Sequence, residues 1–456
     1  MNPRTIDVQQ FLDDHRFSAF QWAILVLCFF VVAVDGLDTA AMGFIAPSLV
    51  SEWSVTKAAL APVMSAALFG LAIGALTAGP LADKYGRKKV IVASALIFGL
   101  ASLSSAACWS LWSLTGFRFL TGLGLGAAMP NTVTLMSEYA PRGRRALLST
   151  LMFCGFTLGS ASSGFVASHI IPAYGWRSLL VVGGVLPIIL VVFLAIILPE
   201  SVRFLVCKGA PADRVAKILR RICAKTDFTN IAFTVPEDIG AQSESSIKAL
   251  FRHDNTTGTL LLWITYFMGL VVVYLLTGWL PTLMKEAGVP MAQAAVVTGM
   301  FMFGSTFGTV LMGWLMDRIN NHLVMGVSYA AAALCVVAIG IHPGEVALLR
   351  VLVFAAGFAM GAQTSMVILA AQFYQTQYRA TGVSWMLGIG RFGGILGASM
   401  GGVLMTLGWD FRTIFFGLAV PAVLAAVAIG LKGIYYAHRP TALPVGPATV
   451  AELEMH

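Results

Sequence analysis

Apolar residues along this chain come in long runs, at approximately 20–47, 58–81, 89–108, 111–136, 146–170, 178–198, 258–283, 294–316, 323–341, 346–372, 383–406 and 412–436. A helix needs roughly 20 mostly apolar residues to cross a hydrocarbon core, so these runs predict about twelve membrane-spanning helices. Short polar loops separate them, except for the long stretch from Pro199 to Thr257, which divides six spans from six. The expected organisation is an N-terminal tail (1–19), a six-helix bundle (20–198), a central loop (199–257), a second six-helix bundle (258–436) and a C-terminal tail (437–456). The opening segment carries Asp7, Asp13 and Asp14, and no small-residue cleavage site follows the first span. It reads as a cytoplasmic tail rather than a signal peptide.

The two bundles repeat. Pro47 and Pro281, Gly79 and Gly313, Asp83 and Asp317, and Arg145 and Arg379 are each separated by 234 positions, and a Gly-Trp pair recurs at 175–176 and 408–409. Parallel repeats of six helices predict an all-α polytopic fold of two pseudo-symmetric bundles, with a substrate site between them near mid-membrane. A duplicated bundle with no transport role is the plain alternative, but charges inside the spans argue against it.

Composition agrees with this placement. The 456 residues are 58% hydrophobic and 11% charged, against about a quarter charged in soluble domains. The six cysteines, Cys28, Cys108, Cys154, Cys207, Cys223 and Cys335, lie scattered without CxxC pairing and read as free, buried thiols. The net charge of +8 suggests nucleic acid until the basic residues are located. Lys84, Arg87, Lys88, Lys89, Arg142, Arg144, Arg145, Arg318 and Arg379 fall in loops that share one side when the N-terminus is inside, as do the basic residues of the central loop. The other side keeps Lys57, Arg177, Lys285 and Arg412. The charge is topological, with both termini cytoplasmic, the lipid bilayer as partner and no nucleic-acid role.

Inside the first span, Asp35 and Asp38 lie three apart on one helical face, and neither can point at lipid. Desolvation and mutual repulsion make a fully ionised pair costly, which suits a proton-coupling site. The positions 234 further on are Gly269 and Val272, so the pair is not part of the shared scaffold. Arg118, in the fourth span at a depth similar to Asp38, is a candidate partner for it, in which case the acidic pair is structural and neutralised, or a candidate to bind a substrate anion. Gly122 and Gly126, one turn apart, predict a close helix approach beside it. Arg391 stands alone in a glycine-dense eleventh span, and its planar fork suits a carboxylate as well as it suits an ion pair with the other half. Arg350, near a span end, can snorkel to the interface.

After the second span the chain reads Gly79-Pro80-Leu81-Ala82-Asp83-Lys84-Tyr85-Gly86-Arg87-Lys88-Lys89. This resembles the loop pattern G-x-L-A-D-[RK]-x-G-R-[RK]-[RK] of the major facilitator superfamily. The resemblance implies that fold and a cytoplasmic latch or gate, to which Gly79, Asp83, Gly86 and Arg87 belong, together with Glu138 in the loop signature 138–145. The second-half copy keeps Gly313, Asp317 and Arg318 but departs at Ile319-Asn320-Asn321-His322, so Asp317, His322 and Arg379 are its gating candidates. Pro199-Glu200-Ser201-Val202-Arg203 resembles a third superfamily loop, for which topology-fixing salt bridges explain the residues equally well.

Asp35-Gly36-Leu37-Asp38, Tyr266-Phe267-Met268-Gly269-Leu270, Trp279-Leu280-Pro281-Thr282-Leu283-Met284 and the run from Arg379 to Gly393 resemble the bacterial aromatic acid:proton symporters, most of all the 4-hydroxybenzoate/protocatechuate transporters. That resemblance implies import of a hydroxybenzoate with a proton by alternating access, through the inner membrane and as a monomer, to supply ring degradation. It implies no cofactor, metal or enzymatic activity. Proton-coupled transport of another organic acid and a superfamily exporter are the alternatives. Exporters usually carry G-x-x-x-G-P in the fifth span, where Gly159 is here followed by Ser160. A membrane enzyme would need a nucleophile or metal constellation, and His169, His322, His342 and His438 show no ligand spacing. Which span aromatics, among them Phe29, Phe30, Trp263, Tyr266, Tyr274, Phe301, Phe307 and Trp385, line a site is not readable from pattern.

Overall fold

The computed structural model describes residues 4–223, 228, 231–234, 250–251, 255–316, 318–374 and 379–437. After β1 (Arg4–Asp7) and α1 (Val8–Asp14), the first half consists of α2 (Ala19–Trp53), α3 (Ala61–Tyr85), α4 (Arg87–Ala106), α5 (Leu111–Tyr139), α6 (Arg145–Tyr174) and α7 (Arg177–Ile197). The second consists of α10 (Thr256–Glu286), α11 (Met291–Met316), α12 (Asn321–Ile341), α13 (Val346–Met360) with α14 (Ala362–Phe373), α15 (Arg379–Thr406) and α16 (Phe411–Ala437). Helices α13 and α14 form one predicted span, broken at Gly361. Between the halves lie α8 (Val202–Cys207), α9 (Ala212–Arg220) and β2 (Ile231–Thr234).

Local sequence explains the boundaries. Ser18 caps α2 in a reciprocal capping box with Gln21. Gly86 separates α3 from α4 at φ +98°, a backbone conformation that a Cβ disfavours. Eleven of the spans are long and apolar enough by themselves to cross a membrane. Helix α5 is the predicted span outside that set, because Arg118, Asn131 and Glu138 dilute it; it is sheltered instead by packing against α3 and α4. The carbonyls of Ala67 and Leu71 occupy the space that a Cβ on Gly122 or Gly126 would need, so the predicted close approach is made.

The repeat is visible in the packing. In the first half α2 packs on α6, α3 on α5 and α4 on α7; the second half repeats this as α10 on α15, α11 on α13 and α12 on α16. Contacts between the halves gather at the end opposite the Lys- and Arg-rich loops. There Lys57 pairs with Glu286, Lys285 Nζ donates to the Pro47 carbonyl at 3.4 Å, and the Ala58 N–H donates to Thr406 Oγ1 at 3.2 Å. At the basic end, Gly79 and Gly313 each face open space.

Two features differ from expectation. The polar N-terminal tail is ordered: β1 pairs in parallel with β2, Arg4 opposite Ile231 through Asp7 opposite Thr234. Val8, Phe11 and Leu12 of α1 are buried with Leu219 of α9 in an apolar cluster that caps the basic end of the first half. The helical amphipathicity of so short a segment is hidden among its charges. The cysteines are all free, as expected, but only Cys28 and Cys108 are buried; Cys154, Cys223 and Cys335 are half-buried, and Cys207, which ends the surface helix α8, is exposed.

Candidate functional site

Helix α2 carries both acidic residues into the protein interior, Asp35 at 3% and Asp38 at 1% exposure. Their environments differ sharply. The Arg118 guanidinium, also 1% exposed, grips Asp38 with two bonds, Nη1 to Oδ1 at 2.9 Å and Nη2 to Oδ2 at 2.6 Å. Ser102 Oγ, which also lies near the Leu180 carbonyl, adds a 3.4 Å contact to Asp38 Oδ1. Asp35 accepts one hydrogen bond, from Thr39 Oγ1 at 3.3 Å, and pairs with no cation among the described residues. A fork-to-fork pair satisfies Asp38 and neutralises Arg118 together. Asp35 is left without a cation in hydrogen-bond contact among the described residues.

Arg391 in α15 is half-buried on the second-half side of this region, and its guanidinium bonds to no described side chain. Its charge acts at Asp35 across the interface and at Tyr266 and Tyr274 of α10. Among the described residues, the two charged groups without a hydrogen-bonded partner thus lie within electrostatic reach of each other, one from each half. Of the two arginines singled out by sequence, Arg118 has its fork occupied by Asp38 and Arg391 has its fork free.

The latch residues form a second cluster at the basic end. Arg87 Nε lies 3.0 Å from Glu138 Oε1, and Arg87 Nη1 lies 3.7 Å from Asp83 Oδ1. Asp83 is 75% exposed, and its ion pair among the described residues lies within its own half. Gly79 and Gly86 frame this loop. The carboxylate of Glu200 sits where a Cβ on Gly86 would fall and accepts from the Lys88 and Ser201 N–H groups, each at 3.0 Å. It thus closes the N-terminus of α4, where a negative charge is favoured. Tyr139 Oη donates to the Glu200 carbonyl at 2.6 Å, and Gln21 Nε2 to the Tyr139 carbonyl at 2.7 Å. Sequence reasoning placed Glu200 in a loop motif without this role. Its signal was the pairing of that motif with the glycine turn 114 residues earlier, which spacing alone does not disclose.

In the second half, Asp317 lies outside the described residues, and Arg379 begins α15. His322 starts α12, capped by Asn320, and its Nε2 lies 2.9 Å from Nζ of Lys432. Lys432 is 2% exposed and sits over the Phe373 ring at 4.4 Å. This lysine was missed because a single basic residue near the end of an apolar run reads as a snorkelling anchor. Among the described residues no cluster of His, Cys, Asp or Glu is arranged to hold a metal ion.

The chain matches the Major Facilitator Superfamily over residues 28–361 and 262–452. It is 51% identical over 432 residues to the 4-hydroxybenzoate transporter PcaK of Pseudomonas putida, covering 94% of this chain and 96% of that one. It is 48% identical over 429 residues to the gallate transporter of Pseudomonas putida, covering 94% and 95%. Among solved structures, the inward open conformation of the xylose transporter XylE from E. coli superposes with a TM-score of 0.71 at 18% identity, over 89% of this chain and 95% of that one. At that identity the likeness is one of fold.

Proposed function

The chain belongs to the major facilitator superfamily, a family of transporters rather than enzymes, and from that premise we propose that it imports a hydroxylated aromatic carboxylate together with a proton. The observation that carries this reading is the pair of unspent charges within electrostatic reach of each other, Asp35 in the first half and Arg391 in the second. Without substrate the two neutralise each other through space. A substrate carboxylate bound to Arg391 removes that compensation and repels ionised Asp35 across a low-dielectric interior. A proton on Asp35 relieves the repulsion, so the halves can close around anion and proton together or around neither. That rule is symport.

In this reading Asp35 carries the proton, Arg391 grips the anion, and Asp38 with Arg118 is the buried tie that holds α2 to α5. The positive-inside rule puts the basic loops and both termini in the cytoplasm. The bilayer is the bacterial inner membrane, and one chain contains both halves of the site. Closure at the outer end, with Gly79 and Gly313 in open space and Asp83 exposed, corresponds to an inward-facing stage of alternating access. Asp83, Arg87 and Glu138, with Asp317, His322 and Arg379, would close the opposite end in the outward-facing stage. The relatives named for 4-hydroxybenzoate and gallate support a ring carrying both carboxylate and hydroxyl.

The test is equilibrium binding of 4-hydroxybenzoate and of its uncharged amide. Arg391→Lys keeps the charge but loses the two-point fork, and loss of one charge-assisted hydrogen bond is expected to weaken acid binding by roughly ten- to a hundredfold. Amide binding should change far less. Wild-type affinity and acid preference in Arg391→Lys would remove the grip from Arg391 and return it to Arg118.

A further inference from the structure

Along α15, Arg391 lies between two positions that meet tyrosine rings of α10. Gly390, beside it, lies against the Tyr266 ring, and Gly394, one turn on, lies against the Tyr274 ring, both closely enough that a Cβ would collide. The rings are thereby held at fixed stations along α15. A helix rises about 1.5 Å per residue, so the Tyr274 station lies roughly 4.5 Å beyond Arg391, away from the basic end. That step is comparable with the span of a benzene ring. Ala398, one further turn along α15, lines a cavity that Tyr274, Thr39 and Arg118 also line, with Met42, Met64 and leucines forming much of the remaining wall. Tyr274 therefore lies both within one turn of Arg391 along α15 and on the wall of this cavity.

The Tyr274 hydroxyl bonds to no described residue. Two other interior tyrosines differ: the Tyr329 hydroxyl donates to Gln363 Oε1, and that of Tyr139 to the Glu200 carbonyl. Tyr274 is half-buried at the meeting of the halves, so its unspent hydroxyl is open to a group that arrives with the ligand. Tyr266 is placed otherwise. It lies on the basic side of Arg391, does not line the cavity, and its carbonyl accepts from Gln363 Nε2 at 3.1 Å, which ties α10 to α14.

We propose that Tyr274 is the residue that reads the ring substituent: with the substrate carboxylate on Arg391, the Tyr274 hydroxyl hydrogen-bonds a hydroxyl on the ring and so selects hydroxylated aromatic acids over the bare ring. The proposal rests on the aromatic-acid reading above. Two phenolic hydroxyls pair whichever of them donates, since each can also accept. Of the other polar groups on the cavity wall, Thr39 already donates to Asp35, Thr277 to the Val273 carbonyl and Arg118 to Asp38, and a site built to bond a hydroxyl disfavours the analogue that lacks it.

The experiment is equilibrium binding of 4-hydroxybenzoate and of benzoate to the full chain in lipid nanodiscs, for wild type, Tyr274→Phe and Tyr266→Phe. Wild type should prefer the hydroxylated acid. Tyr274→Phe should weaken 4-hydroxybenzoate about tenfold and bring the two acids within about threefold of each other. Tyr266→Phe should retain the wild-type preference. An unchanged preference in Tyr274→Phe overturns the proposal, as does an equal loss for both acids, which would mark a packing role. Equal binding of both acids by wild type overturns this proposal alone. Absence of binding of either acid to wild type overturns the aromatic-acid reading and this inference with it.

Discussion

Asp35→Asn is expected to reduce accumulation of substrate against its gradient to the level of protein-free vesicles, while exchange of labelled for unlabelled substrate across the same membrane continues. Asparagine has nearly the shape of the acid and can still receive the Thr39 hydrogen bond, so the fold has no reason to change. What it lacks is a site for the proton. Asparagine also stands in permanently for the protonated, uncharged acid, so the step that returns substrate-loaded carrier remains allowed while the return of the empty carrier loses its neutralising partner for Arg391. Counterflow measured beside net uptake separates the two. Proton-driven accumulation at the wild-type level in Asp35→Asn would remove the coupling assignment.

The acidic pair also shows where sequence stops. Its presence inside an apolar span, its absence from the second repeat and the candidacy of Arg118 as a partner were all legible, because a buried charge in a membrane helix must be explained. Which carboxylate takes the arginine was not legible. Positions three apart on a helix share a face, and only the packing of α5 against α2 aims the guanidinium at Asp38 rather than Asp35. The twelve spans were readable because a membrane imposes length and apolarity on each helix separately. Their mutual packing was foreshadowed by the glycines of α5, whose missing side chains have one use there. By contrast, the docking of α1 and the pairing of β1 with β2 rest on contacts more than 100 residues apart, and no local period announces them. Glu200 and Lys432 belong to the same class. Each is an ordinary loop or end residue until the fold brings Gly86 or His322 against it.

Removing one member of the Asp38–Arg118 pair should be the most destabilising single change in the first half. Arg118→Leu leaves Asp38 buried with only Ser102 Oγ nearby, and Asp38→Leu leaves a guanidinium at 1% exposure without its anion. Breaking such a pair typically costs about 3–5 kcal/mol, whereas replacing both partners by apolar side chains is often neutral. The expected result is a strongly lowered melting temperature in detergent for each single variant and recovery of most of that loss in the Asp38→Leu/Arg118→Leu double variant. A double variant no more stable than the singles would mean that the pair is not the tie between α2 and α5 that its geometry indicates.

The central claim, that inward movement of an aromatic carboxylate is driven by a proton, is tested most directly by uptake of labelled 4-hydroxybenzoate into proteoliposomes whose interior is made alkaline, with protein-free liposomes as the control for passive entry of the acid. The account predicts protein-dependent accumulation above the external concentration that collapses when a protonophore abolishes the pH difference, and competition by other hydroxylated benzoates. Protein-dependent uptake that only equilibrates, at the same rate with and without the gradient, would contradict it.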